Sequence, residues 1–164
     1  MTRSIRLVAA LFFVLTATAA FSQTDAQKSF NNLKVLAGSW EGKSSRGYPV
    51  QVSYKVTAGG STLMSELTGH GEDMISMFNL DGANRLLMIH YCSAGNQPRM
   101  QASASPDGKT ITFDFVDATN LGSPDAGHMQ RVVIALLDAN HHTEEWTYID
   151  HGKEEKELND LRRK

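Results

Sequence analysis

The chain has 164 residues, 16 Lys and Arg against 18 Asp and Glu, a formal net charge of −2 and a single cysteine. That length suits one domain rather than several. A near-neutral balance without a basic block leaves no electrostatic footprint for nucleic acid or anionic lipid, and one cysteine excludes an internal disulfide framework.

The chain opens on a leader. Arg3 and Arg6 make a positive start, Leu7 to Leu15 is an apolar run, and Ala20-Phe21-Ser22 is a small-x-small cleavage site, with Ala17-Thr18-Ala19 as a competing one. The apolar run is shorter than the roughly 20 residues needed to cross a bilayer. The expectation is a cleaved signal over residues 1–22 and one exported domain over residues 23–164, periplasmic or extracellular. Loss of the leader's two arginines takes the charge to −4. The only cysteine, Cys92, is far from the new N-terminus, so neither lipid attachment nor another stable membrane anchor is expected. Cys92 ends an apolar strand pattern and reads as a buried, inert thiol.

Residues Thr24 to Ala37 read as a short helix, with Thr24 or Asp25 as cap and Phe30, Leu33 and Leu36 at helical spacing; Gly38 stops it. From Trp40 the period changes to two. Val50, Val52, Tyr54 and Val56 alternate with polar residues in a half-buried strand. Ala58-Gly59-Gly60 turns the chain into Ser61 to Thr68, and Gly69-His70-Gly71 separates that strand from Asp73 to Leu80. Asp81-Gly82-Ala83-Asn84 is a hairpin signal before Arg85 to Cys92. Arg99 to Ser105 and Thr110 to Val116 follow, joined by Pro106-Asp107-Gly108-Lys109. A long connection from Asp117 to Gly127 leads to His128 to Leu137 and Thr143 to Asp150, a hairpin whose tip includes His141-His142. Lys153 to Leu161 is a polar last strand. About ten strands, almost all hairpin-linked, predict an all-β, antiparallel up-and-down barrel with a short N-terminal helix.

The run Leu36-Ala37-Gly38-Ser39-Trp40-Glu41-Gly42, set before such a strand series, resembles the calycin superfamily, where a helix or turn leads into a first strand carrying Gly-x-Trp. The chain is most similar in look to nitrobindin-like barrels. It also resembles uncharacterised exported bacterial proteins of that type, through His90-Tyr91-Cys92-Ser93-Ala94-Gly95-Asn96-Gln97-Pro98-Arg99-Met100 and Asp117-Ala118-Thr119-Asn120. Gly38 and Trp40 are expected to be structural, the glycine for a tight turn and the indole as a plug on the barrel floor. Nitrobindin-like proteins hold haem through a histidine near the C-terminus. Residues Glu154 to Lys164 contain none, so no haem ligand is carried over and no cofactor is expected.

The densest polar cluster is His90, Tyr91, Asn96, Gln97 and Arg99, flanking one strand connection. Histidine titrates, Tyr and Arg bind carboxylates, and Asn and Gln orient by hydrogen bonds. Both faces of Arg85 to Cys92 are apolar, so periodicity does not say which points inward. Asp117, Asn120 and His128 lie on or beside the long connection, the sort of loop that often carries function. No metal spacing and no catalytic elbow is present. The leading expectation is an exported binding barrel, monomer or homodimer, for a small apolar molecule. The alternatives are an enzyme using His90 or His128 as acid–base residue, and a ligand-free structural or interaction module of the cell envelope.

Overall fold

The computed structural model describes residues 23–69 and 71–164; the leader expected over 1–22, and His70, lie outside them. Helix α1 spans Asp25–Lys34. Thr24 caps it reciprocally: its Oγ1 accepts from the Gln27 amide at 3.2 Å, and its own amide donates to Gln27 Oε1 at 3.0 Å. Asp25 in the first turn and Lys34 in the last complement the helix dipole. The helix ends earlier than its apolar spacing predicts. Leu36 and Ala37 donate to the carbonyls three residues back, at 3.0 and 3.1 Å, which tightens the chain out of the α-helix before Gly38.

Ten strands follow: β1 (Gly38–Ser44), β2 (Pro49–Thr57), β3 (Thr62–Gly69), β4 (Glu72–Asp81), β5 (Arg85–Tyr91), β6 (Gln97–Ala104), β7 (Thr110–Thr119), β8 (His128–Asp138), β9 (His141–Asp150) and β10 (Lys153–Arg163). Each pairs antiparallel with its chain neighbours, and β1 pairs with β10 from Trp40–Arg163 to Ser44–Asn159, closing the barrel. Closure leaves no sheet edge. It also demands close approach: a Cβ on Gly42 would lie 1.7 Å from the Asp160 carbonyl oxygen.

Two departures from the sequence reading bear on the site. β7 runs on to Thr119 because β6 slips register between Arg99 and Met100, which lets Asp117, Ala118 and Thr119 pair with Arg99, Pro98 and Gln97. The connection to β8 is therefore shorter than expected. β9 starts at His141, so His141-His142 is not a solvated tip. Residues 139–140 make the turn, and His142 is wholly buried.

Two unlike ends result. Helix α1 covers the end carrying the β4–β5 and β6–β7 turns. Thr24 Oγ1 donates to the Ala83 carbonyl and Asn32 Nδ2 to the Gly108 carbonyl at 2.9 Å, while Phe30, Leu33 and Leu36 are buried. Trp40 sits at this closed end, 1% exposed, its Nε1 donating to the Leu36 carbonyl at 2.7 Å and the Arg163 guanidinium over its ring at 4.3 Å. Leu63, Phe78, Leu86, Met88, Met100, Ile111, Phe113 and Ile134 fill this half, with Phe78 and Phe113 edge to face at 5.4 Å. Side chains of that size stabilise by about 1.5–3 kcal/mol each on burial. The other end is less filled.

Candidate functional site

Alternation along β2 to β5 turns one polar residue per strand inward at the same level. Tyr54 faces Ser65, Ser65 faces Ser76 and Ser76 faces His90 in the ladder. All four are buried. Across the barrel, β9 supplies His142, Glu144 and Trp146, and β10 supplies Asn159 opposite Glu144. The Glu144 carboxyl gathers three donors. Tyr54 OH and His142 Nε2 (3.2 Å) reach Oε1, and Trp146 Nε1 reaches Oε2 at 3.0 Å. The His142 ring stands edge-on to Trp40 at 4.3 Å, linking this layer to the closed end.

Burial governs the protonation states. The Tyr54 phenol is pushed well above its ordinary value, first by burial and then by the charge of Glu144 and the bond it donates to it. It therefore stays a donor. Burial pulls the His90 imidazole down to about 4, against the opposing pull of Glu144, so the ring is neutral at neutral pH. His90 Nδ1 is hydrogen-bonded to Ser76 Oγ at 2.9 Å, and the ring lies 5.0 Å from that of Trp146. His90 Nε2, His142 Nδ1 and Asn159 Oδ1 are buried with no hydrogen-bond partner among the described residues.

Above this layer, toward the end away from α1, lies a cavity of about 460 Å³. Its size falls within the roughly 300–1,000 Å³ of small-molecule sites. Val50, Leu67, Met74 and Met129 form apolar walls, with Trp146 and Asn159 among the lining residues. Cys92 lines it too, half-buried, its thiol pushed up chiefly by desolvation. Glu144, Tyr54, His142 and His90 do not line it, so the acid–base groups lie behind its walls. A second hollow, about 630 Å³, runs between α1 and the β6–β7 turn; Asn32 spans it to Gly108, so it belongs to helix docking.

The structure separates the residues expected at the site. On β5, Leu86, Met88 and His90 point inward; Tyr91 points outward and is 48% exposed. Arg99 and Asp117 form a two-pronged ion pair on the outer surface, both about half exposed. Asn96, Gln97 and Asn120 do meet, but their amide nitrogens and Gln97 Oε1 bond neighbouring backbone and side chains, and Asn96 Oδ1 is buried without a partner among the described residues. Asn96 Nδ2 donates to the Gly127 carbonyl at 2.8 Å, Asn120 Nδ2 to the Gly95 carbonyl at 2.6 Å, and Thr119 Oγ1 to Gln97 Oε1 at 2.7 Å. They staple the β5–β6 turn to the β7–β8 connection. Both ring nitrogens of His128 are engaged locally, by the Ala126 carbonyl at 2.8 Å and Gln130 Oε1 at 3.3 Å. None of these residues lines the cavity. Sequence reasoning did not select Tyr54, His142, Glu144 or Asn159, although one cue was available: period two from Trp146 and Tyr148 carries Glu144 and His142 to the same face.

No protein-family model matches the chain, and no curated protein matches it. A solved structure titled "Crystal Structure of Rv2717c from M. tuberculosis" is similar to it with a TM-score of 0.60 and 15% identity, over 83% of this chain and 97% of that one. At that identity the likeness supports the barrel fold and nothing finer.

Proposed function

We propose that the chain is an exported barrel of calycin type that binds one small, mostly apolar molecule. The observation that carries this reading is the cavity: about 460 Å³, open at the end away from α1, with Val50, Leu67, Met74 and Met129 as apolar walls and Arg46, Glu72, Glu155, Glu157 and Asn159 among its polar lining residues. The leader over residues 1–22 supports export. The ten-strand closure and the solved neighbour support the barrel fold, and the calycin type rests on the Gly38-Ser39-Trp40 opening of β1. Binding is favoured over turnover because His90 and Glu144 lie behind the cavity walls and His128 is engaged by its own loop. Haem is not part of the proposal: residues Glu154 to Lys164, where nitrobindin-like barrels would carry the ligand, contain no histidine.

The test is titration with the neutral apolar fluorophore N-phenyl-1-naphthylamine. Saturable uptake of one equivalent is expected, and Leu67→Trp, which fills the cavity, should abolish it while thermal unfolding stays cooperative. Absence of uptake, or uptake indifferent to Leu67→Trp, would refute the proposal.

A further inference from the structure

The cavity wall formed by β9 and β10 has a chemistry of its own. Alternation on β10 sets Glu155, Glu157 and Asn159 along one face of the wall, and the ladder places Tyr148 beside Glu155 and Trp146 beside Glu157. Acceptors therefore descend toward Asn159 next to two aromatic rings. Asn159 is 4% exposed, lines the cavity, and keeps its Oδ1 without a partner among the described residues. A buried acceptor left unmade is costly, and a ligand donor relieves that cost.

The charge of the lining is lopsided. Glu72, Glu155 and Glu157 face a single guanidinium, Arg46. Arg46 reaches Glu155 at 3.3 Å and Glu157 at 3.5 Å, with its side chain 47% exposed. It shows that this wall attracts a cation, yet pairs so exposed are weak and open to exchange. The Glu155 carboxyl is held below its usual range by the bonds from Lys153 and then Arg46, so it stays ionised at neutral pH.

We infer that the cavity selects a protonated apolar amine, its ammonium held by Glu157, Asn159 Oδ1 and the face of Trp146, with its hydrocarbon body against Val50, Leu67, Met74 and Met129. A carboxylate, fatty acids included, would meet three like charges and a single cation, Arg46, already paired with Glu155 and Glu157. An ammonium gains a carboxylate partner and an aromatic face in a partly desolvated site. This inference rests on the binding reading proposed above.

The experiment displaces N-phenyl-1-naphthylamine with three matched ligands, 2-naphthylmethylamine, 2-naphthylmethanol and 2-naphthoate, at neutral pH and low salt. The amine should bind about tenfold more tightly than the alcohol, with naphthoate weakest, and its advantage should shrink in about 0.5 M salt. Glu157→Gln should bring the amine within about threefold of the alcohol, while Arg46→Ala should widen the gap. Both sites are exposed enough for the fold to survive, which the thermal transition checks. If the alcohol or naphthoate binds as tightly as the amine, the charge preference is wrong and the binding reading stands. If none of the three and no fluorophore binds, both fall.

Discussion

Tyr54→Phe isolates the layer beneath the cavity. The substitution removes one oxygen and keeps the ring, so no cavity term arises, and Tyr54 is 4% exposed, so water does not replace the lost group. What disappears is the donor that Tyr54 OH gives to Glu144 Oε1. A bond to a charged acceptor contributes about 1.5–3 kcal/mol net. The loss is then about 1.5–3 kcal/mol, or roughly 5–10 °C in Tm for a domain of this size. Thermal unfolding followed by circular dichroism measures it. The same substitution made on a Glu144→Gln background should cost at least about 1 kcal/mol less, since the two groups are coupled. A fall in Tm below about 2 °C, or strict additivity with Glu144→Gln, would show that Tyr54 does not hold the carboxyl.

Three further outcomes follow from the same packing. With His90 pulled to about 4 against an unfolded value near 6.5, the unfolded chain binds the proton first, so its contribution is whole above pH 6.5 and falls as the pH drops toward 4. The loss amounts to about 3 kcal/mol, and urea midpoints across that window should depend less on pH in His90→Gln; equal slopes would contradict it. Gly42→Ala should cost at least about 3 kcal/mol, because its Cβ would meet backbone of β10 at the closure seam, and a wild-type urea midpoint would mean the seam relaxes freely. Cys92, half-buried with a raised thiol pKa, should react with maleimide far more slowly in the folded chain than in urea, and a bound ligand should slow it further; mass spectrometry of the time course reads both, and a ligand without effect would place it away from this wall.

Much of the barrel was legible because its signals are local. The Asp81-Gly82 turn, the Val50 to Val56 alternation and the Thr24 cap each act within a few residues. Strand ends were misread where the cause is across the ladder: β7 is prolonged by pairing with Gln97, Pro98 and Arg99, a contact no window of sequence contains. The site was less legible for the same reason. His90 stood out as a member of the densest polar cluster, yet its face was undecided because Leu87, Ile89 and Tyr91 on the outside are as apolar as Leu86 and Met88 within. Asn96, Gln97 and Asn120 looked like a ligand cluster because loop staples use the same amides that bind ligands. Glu144 was masked by its neighbour Glu145, since two adjacent carboxylates read as a solvated pair until strand alternation sends one of them inward.

That inward carboxyl raises the question of what the polar layer is for. A buried charged network satisfied by Tyr54, His142 and Trp146 recovers its desolvation cost without a clear gain over apolar packing of the same shape. The triple change Tyr54→Phe, His142→Phe and Glu144→Leu should therefore cost less in the thermal transition than Tyr54→Phe alone, because no polar group is left stranded. Trp146 is the exception: its Nε1 would lose Glu144, its hydrogen-bond acceptor, and only packing, such as that on the His90 ring, would be left to hold the indole at the cavity wall. Ligand affinity should then fall by about tenfold or more while stability holds, which equilibrium titration of the triple variant reads directly. Retained affinity would make the layer mere filling; collapse of stability would make it a strut of the fold; stability kept with affinity lost would assign it to positioning Trp146 for the ligand.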